Sequence, residues 1–153
     1  MNVSISDEQS ALPISSSSAE TIVERVIKGE GQTCDEVSVF FVTTEEICRL
    51  HRYYFDDPSI TDCISFPIDE DPATGYRVLG DVFVCPQTAI DFARDHKGDP
   101  YEETTLYIVH GLLHLMGYDD IDDEDAAAMR QAEERHMKRL KTSGCYLKRE
   151  EAI

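Results

Sequence analysis

Apolar positions along the chain follow two rhythms, and each change of rhythm marks a new element. Near the start, "NVSIS" alternates apolar with polar residues and predicts a short edge strand. In "SSSSAETIVERVIKGE" the spacing becomes helical: a serine cap leads into a stripe at Ile22, Val23, Val26 and Ile27, and Gly29 marks the end. Residues 35–42, "DEVSVFFV", are rich in β-branched and aromatic side chains and predict a strand. The following "TTEEICRLHRYYF" carries a threonine cap and a helical stripe at Ile47, Leu50 and Tyr54. A loop, a short strand over 62–66, a Pro/Gly turn region and a second strand over 77–85 predict a small sheet with a hairpin-like return. "QTAIDFARDH" has a helical pattern, and residues 102–116 and 123–141 predict two more helices, separated by Gly117. These elements add up to an α+β fold, a single domain over 1–153 with about five helices on a mixed sheet of about four strands.

One helix departs from the amphipathic norm. From Leu106 to Met116 its side chains are apolar almost all round, which predicts a central buried helix, and only His110 and His114 interrupt it. A separation of four residues puts both imidazoles on one face, a turn apart, as two nitrogen ligands of one ion require. Gly117 stands where a helix commonly ends in a left-handed turn, and such a turn returns Asp119 or Asp120 toward the same ion. The pattern His-x3-His-x5-Asp thus supplies two nitrogens and one oxygen, with a fourth position left for water. The competing reading is two buried histidines with ordinary hydrogen bonds, and an acidic run in which Asp122 or Asp123 caps the last helix while Glu124 and Asp125 complement its dipole. A calcium loop does not fit, because the run lacks the central glycine and distal glutamate.

Composition narrows the possible partners. Acidic side chains number 31 against 14 basic ones, a formal charge of −17, so the chain as a whole repels phosphate backbones and any nucleic acid must be steered by local basic residues. Half of the basic residues, from Arg130 to Arg149, concentrate in the last helix and tail, where they are placed to guide RNA or to pair with the abundant acids. Five cysteines form no CxxC pair and no basic, apolar leader opens the chain, which points to reduced thiols and the cytoplasm. No apolar run approaches the roughly 18 residues of a membrane span.

The stretch "HGLLHLMGYDD", residues 110–120, resembles the signature of the YbeY family of metal-dependent endoribonucleases and rRNA-maturation factors, His-Gly-x-Leu-His-Leu-x-Gly-Tyr-Asp-His. "TDCISFP" at 61–67 and "LGDVFVCP" at 79–86 are similar to two further family segments, and the three occur in family order. The resemblance implies an α+β fold with one zinc-like ion held by three histidines beside a cleft. It implies a single-strand-specific endoribonuclease acting on rRNA precursors in rRNA maturation and ribosome quality control, with ribosomal proteins as further candidate partners. Residue by residue, it gives His110 and His114 the first two ligand positions and puts Asp120 in place of the third histidine. Asp81, Asp119 and Ser65 are candidates for supporting contacts around those ligands; His51, His96 and His136 fall outside the motif.

Two departures from the family pattern bear on activity. A carboxylate at Asp120 makes the centre one unit more negative than three imidazoles would, which weakens its Lewis acidity. The family's functional arginine before the Ser-Phe-Pro strand falls, counting back from Ser65, on Phe55; Arg52, one helical turn earlier, is the candidate to supply the guanidinium as a catalytic group. The leading expectation is therefore a metal-dependent endoribonuclease with one divalent ion, most readily zinc. One alternative is a ribosome-assembly factor that keeps the metal and has little catalysis. Another is a zinc metalloprotease, which needs a glutamate directly after the first histidine, where this chain has Gly111.

Overall fold

The computed structural model describes residues 1–57, 59, 61–68 and 70–150; the parts of the expected loops at Pro58, Ile60 and Asp69, and the end of the expected domain at 151–153, lie outside the described residues. Strand β1 (Asn2–Asp7) leads through α1 (Ser16–Gly29) to β2 (Glu36–Phe41). Helix α2 (Thr44–Phe55) follows, then β3 (Cys63–Pro67), β4 (Val78–Val84), α3 (Pro86–His96), α4 (Pro100–Leu115) and α5 (Asp123–Thr142). The strands make one mixed sheet in the order β1-β2-β4-β3, parallel except for β3, which runs antiparallel to β4 as the hairpin-like pattern predicts. Both β1 and β3 are therefore edge strands.

Local chemistry places the helix ends. Ser15 Oγ accepts from Ser18 N at 3.3 Å to start α1, and Thr43 Oγ1 accepts from Glu46 N at 3.2 Å to start α2. Asp99 caps α4 through Tyr101 N, with Pro100 at the first helical position. Asp122 Oδ1 accepts from Asp125 N at 2.8 Å, so of the two expected caps of α5 it is Asp122 that serves.

Side-chain alternation along the strands builds two cores. Val37, Val39 and Phe41 of β2 and Leu79, Val82 and Val84 of β4 share a core with α1, α4 and α5. Ile64 and Phe66 of β3, with Phe83 of β4, join a smaller core under α2 around Ile47 and Leu50. Tyr54, expected on the buried stripe of α2, is instead 56% exposed, because that smaller core is filled before the last turn of the helix.

Helix α4 is central, as its all-round apolarity predicts, and packs on β3, β4, α1, α3 and α5. Its two buried threonines are satisfied: Thr104 and Thr105 donate to the carbonyls of Pro100 and Tyr101, and Thr105 Oγ1 also accepts from Leu147 N. Gly111 makes the approach of α4 to the sheet possible, since a Cβ there would lie 2.5 Å from Val82 Cγ1 and 3.2 Å from Ser65 Oγ. All five cysteines are free thiols, and among the described residues no helix is long and apolar enough to cross a membrane.

Candidate metal centre

The two histidines lie on one face of α4 near its C-terminal end. Gly117 then takes φ +100°, a conformation open to glycine and strained for other residues, and the chain folds back over the end of the helix. This return brings Asp120 beside both rings: its Oδ2 lies 3.7 Å from the Nε2 of His110 and 3.7 Å from that of His114. The two Nε2 atoms are 3.0 Å apart. Asp119 helps to hold the turn, because its Oδ1 accepts from Asp120 N at 2.8 Å.

The outer ring nitrogens have partners that determine what the inner ones offer. His114 Nδ1 lies 3.0 Å from the carbonyl of Tyr118, which can only accept, and His110 Nδ1 lies 2.6 Å from Glu133 Oε1. Both Nδ1 atoms therefore donate, and in the neutral rings both Nε2 lone pairs turn toward each other and toward Asp120. Three electron-pair donors in such proximity repel one another unless positive charge sits among them. A divalent ion fits that requirement, and two imidazoles with one carboxylate form a donor set of the catalytic zinc type. His110 registers the same field: burial pushes its pKa down, but the Glu133 hydrogen bond and charge, then Asp62 and Asp120, outweigh burial and raise it.

A cleft of about 440 Å³ opens onto this cluster. It follows the free edge of β3, with Cys63, Ser65 and Pro67 on one wall, His110 and His114 on the α4 side, and His51 and Phe55 from α2. Ser65 reaches it as expected, but its Oγ donates to the carbonyl of Gly111 at 2.9 Å, tying β3 to α4 instead of touching a ring. Cys63 lines the cleft beside them, and burial, then the charges of Asp62 and Glu133, push its thiol pKa well up.

Several sequence expectations are redistributed. Asp81 pairs in the β4 ladder with Ser38 and Phe66, one residue before Val82, whose side chain meets α4. Strand alternation thus turns Asp81 to the opposite face of the sheet, away from both imidazoles, and the supporting role falls to Glu133 and the Tyr118 carbonyl. Glu133 was legible only as an acid beside the buried stripe Met129, Ala132, His136 and Leu140 of α5. Arg52 is exposed and is not among the residues lining the cleft, whereas Phe55 lines it and is 55% exposed. His136 stays outside the cluster, buried against Glu30 Oε2 at 2.6 Å.

The family model described as "Endoribonuclease YbeY" matches residues 4–141. The chain is 55% identical over 146 residues to Endoribonuclease YbeY of Protochlamydia amoebophila, covering 95% of this chain and 97% of that protein. It is 37% identical over 138 residues to Endoribonuclease YbeY of Chlamydia pneumoniae, covering 87% of each. The solution structure of TM1509 from Thermotoga maritima is similar in fold, with a TM-score of 0.65 and 24% identity over 93% of this chain and 91% of that one.

Proposed function

The chain belongs to the YbeY endoribonuclease family, and from that premise we propose a zinc-dependent, single-strand-specific endoribonuclease that acts in the cytoplasm on rRNA precursors, in rRNA maturation and ribosome quality control. The observation that carries this reading is the convergence of His110 Nε2, His114 Nε2 and Asp120 Oδ2, with both imidazoles lining a cleft and both outer ring nitrogens held by acceptors. His110, His114 and Asp120 would hold the ion, which when bound supplies Lewis acidity to a phosphoryl oxygen and makes a water molecule more acidic.

The remaining work belongs to this chain's own groups. Glu133 and the Tyr118 carbonyl fix the tautomer and rotation of the rings, and Asp119 fixes the turn that presents Asp120. The candidate donor to the developing charge on the phosphoryl oxygens is Arg52, since Arg49 on the same helix is already paired with Glu46 at 2.6 Å. RNA is guided by local cations: Lys138 and Arg139 of α5 line, with Arg25 and Lys28 of α1, a second cavity of about 490 Å³, and none of the four makes a salt bridge among the described residues. Ribosomal proteins are the further partners this reading allows.

A protease is disfavoured by packing, because the glutamate such a site needs would stand at Gly111, where even a Cβ meets Val82. A second reading, a metal-binding assembly factor with little catalysis, draws support from Phe55 at the cleft wall and the carboxylate of Asp120 in the ligand set.

The test is metal analysis of the purified chain beside cleavage of single-stranded RNA with and without chelator. About one divalent ion per chain and chelator-sensitive cleavage are expected. Metal content should fall in a His110→Ala, His114→Ala double variant, and fall further in Asp120→Ala than in Asp119→Ala. Equal content in the wild type and the double variant rejects the metal centre. Metal without cleavage moves the assignment to the assembly factor.

A further inference from the structure

The last turn of α2 presents three large aromatic side chains to solvent: Tyr53, Tyr54 and Phe55 are 76%, 56% and 55% exposed. They are not isolated. Tyr54 lies 4.7 Å from the ring of Phe66, and Phe55 is stacked on Phe66 at 6.4 Å with an interplanar angle of 23°. Phe66 rests edge-on against Phe83 at 5.7 Å, and Phe83 is stacked on Phe40 at 4.6 Å. A run of rings therefore leads from the smaller core out to the cleft wall, where Phe55 stands with His110 and His114. Exposed aromatic groups of this kind mark contact surfaces, because leaving them in water is unfavourable.

From this juxtaposition we propose that Phe55 and Tyr54 form a stacking platform for an unpaired nucleobase of the RNA strand whose phosphodiester enters the metal cleft. The proposal rests on the endoribonuclease reading and adds a specificity device to it. A chain of net charge −17 gains little from phosphate contacts overall, so strand binding needs a favourable contribution that does not depend on charge. Stacking on aromatic faces is such a contribution, and it tolerates any base sequence. It also discriminates: in a duplex each base already has stacking neighbours, whereas an unpaired base can leave the strand for the platform. A phenyl ring at position 55 cannot neutralise a phosphate, but it has a face to offer a base.

The platform is tested with the full chain in chelator, which prevents cleavage, and three fluorescently labelled RNAs of about ten nucleotides: a mixed-sequence single strand, the same strand in a duplex, and an abasic strand with equal phosphates. The single strand should bind most tightly and with shallow salt dependence. Phe55→Leu and Tyr54→Leu should each weaken it by roughly 5- to 150-fold, the equivalent of one lost base–aromatic stack, without changing abasic binding or metal content. Phe55→Tyr, which keeps a ring, should retain affinity even if the leucine variant folds poorly. The chain has 7 tyrosines and no tryptophan, so binding should quench tyrosine emission, less so in Tyr54→Leu.

Unchanged affinity in both leucine variants, or equal binding of abasic and base-bearing strands, overturns the platform and leaves the metal-dependent cleavage reading standing. A concentration-dependent dimer that Phe55→Leu abolishes, with RNA affinity unchanged, overturns it in favour of a second copy of the chain. A wild type that binds none of the RNAs in chelator and cleaves none of them once the divalent ion is restored overturns both readings together.

Discussion

Glu30→Gln probes the network behind the metal cluster. Glu30 follows α1 and accepts three hydrogen bonds: from Tyr118 OH at 2.7 Å, from His136 Nε2 at 2.6 Å and from Arg135 Nη2 at 2.6 Å. Burial pushes its carboxyl pKa up, but the bonds from Tyr118, His136 and Arg135 outweigh burial and hold it at about 2, against an ordinary 4.5. At about 1.4 kcal/mol per tenfold, that difference corresponds to roughly 3 kcal/mol of stability near neutral pH. The Arg135 side chain is 42% exposed, so water screens that arm, and a contribution of about 1–2 kcal/mol is the realistic expectation. The folded-state pKa lies below the unfolded one, so this stabilisation is complete above the unfolded value and is lost as pH falls toward the folded one. Glutamine keeps the shape and removes the charge. In urea unfolding, Glu30→Gln should therefore trail the wild type by about 1–2 kcal/mol near neutral pH, and the gap should narrow steadily below about pH 5. A gap that stays constant across that range would refute the charge argument. The carbonyl of Tyr118 also orients His114, so the variant should retain metal less well through dialysis against chelator.

Other perturbations address the packing and the chemistry separately. Gly111→Ala places a methyl group 2.5 Å from Val82 Cγ1 and should cost about 1–3 kcal/mol, seen as a lower melting temperature that adding Val82→Ala partly restores; an unchanged melting curve would contradict the close approach. Asp120→His removes one negative charge from the ligand set and should move the pH profile of RNA cleavage toward lower pH, whereas an unmoved profile means that Asp120 does not touch the ion or that ionisation of the bound water does not limit the rate. Arg52→Ala should lower cleavage with metal content intact. If Arg52→Ala changes nothing, Phe55→Arg should raise cleavage by roughly ten- to a thousandfold; because Phe55 is 55% exposed, that variant should fold, and a well-folded protein with neither effect rejects a guanidinium role for α2.

What was legible in the sequence was what is local. Caps at Ser15, Thr43 and Asp122, the four-residue spacing of His110 and His114, and the glycine turn at Gly117 are set by backbone geometry within a few residues, so hydropathy period and residue type expose them. The turn needs only three further residues to bring Asp120 to the rings. Packing between distant elements decided the rest. Glu133 supports His110 across 23 residues, and Glu30 holds Tyr118 across 88, each depending on how α5 and α1 settle against α4. Asp81 illustrates the same limit within one strand. Apolar side chains occupy both faces of β4, so its pattern does not say which face α4 covers, and only the docking of Gly111 onto Val82 turns Asp81 away from the metal cluster. The exposure of Tyr54 is likewise a tertiary outcome: the helical period aligns it with the core stripe, but the smaller core is already filled by Ile47, Leu50 and Ile64, so the last turn of α2 extends past it and brings Phe55 to the cleft.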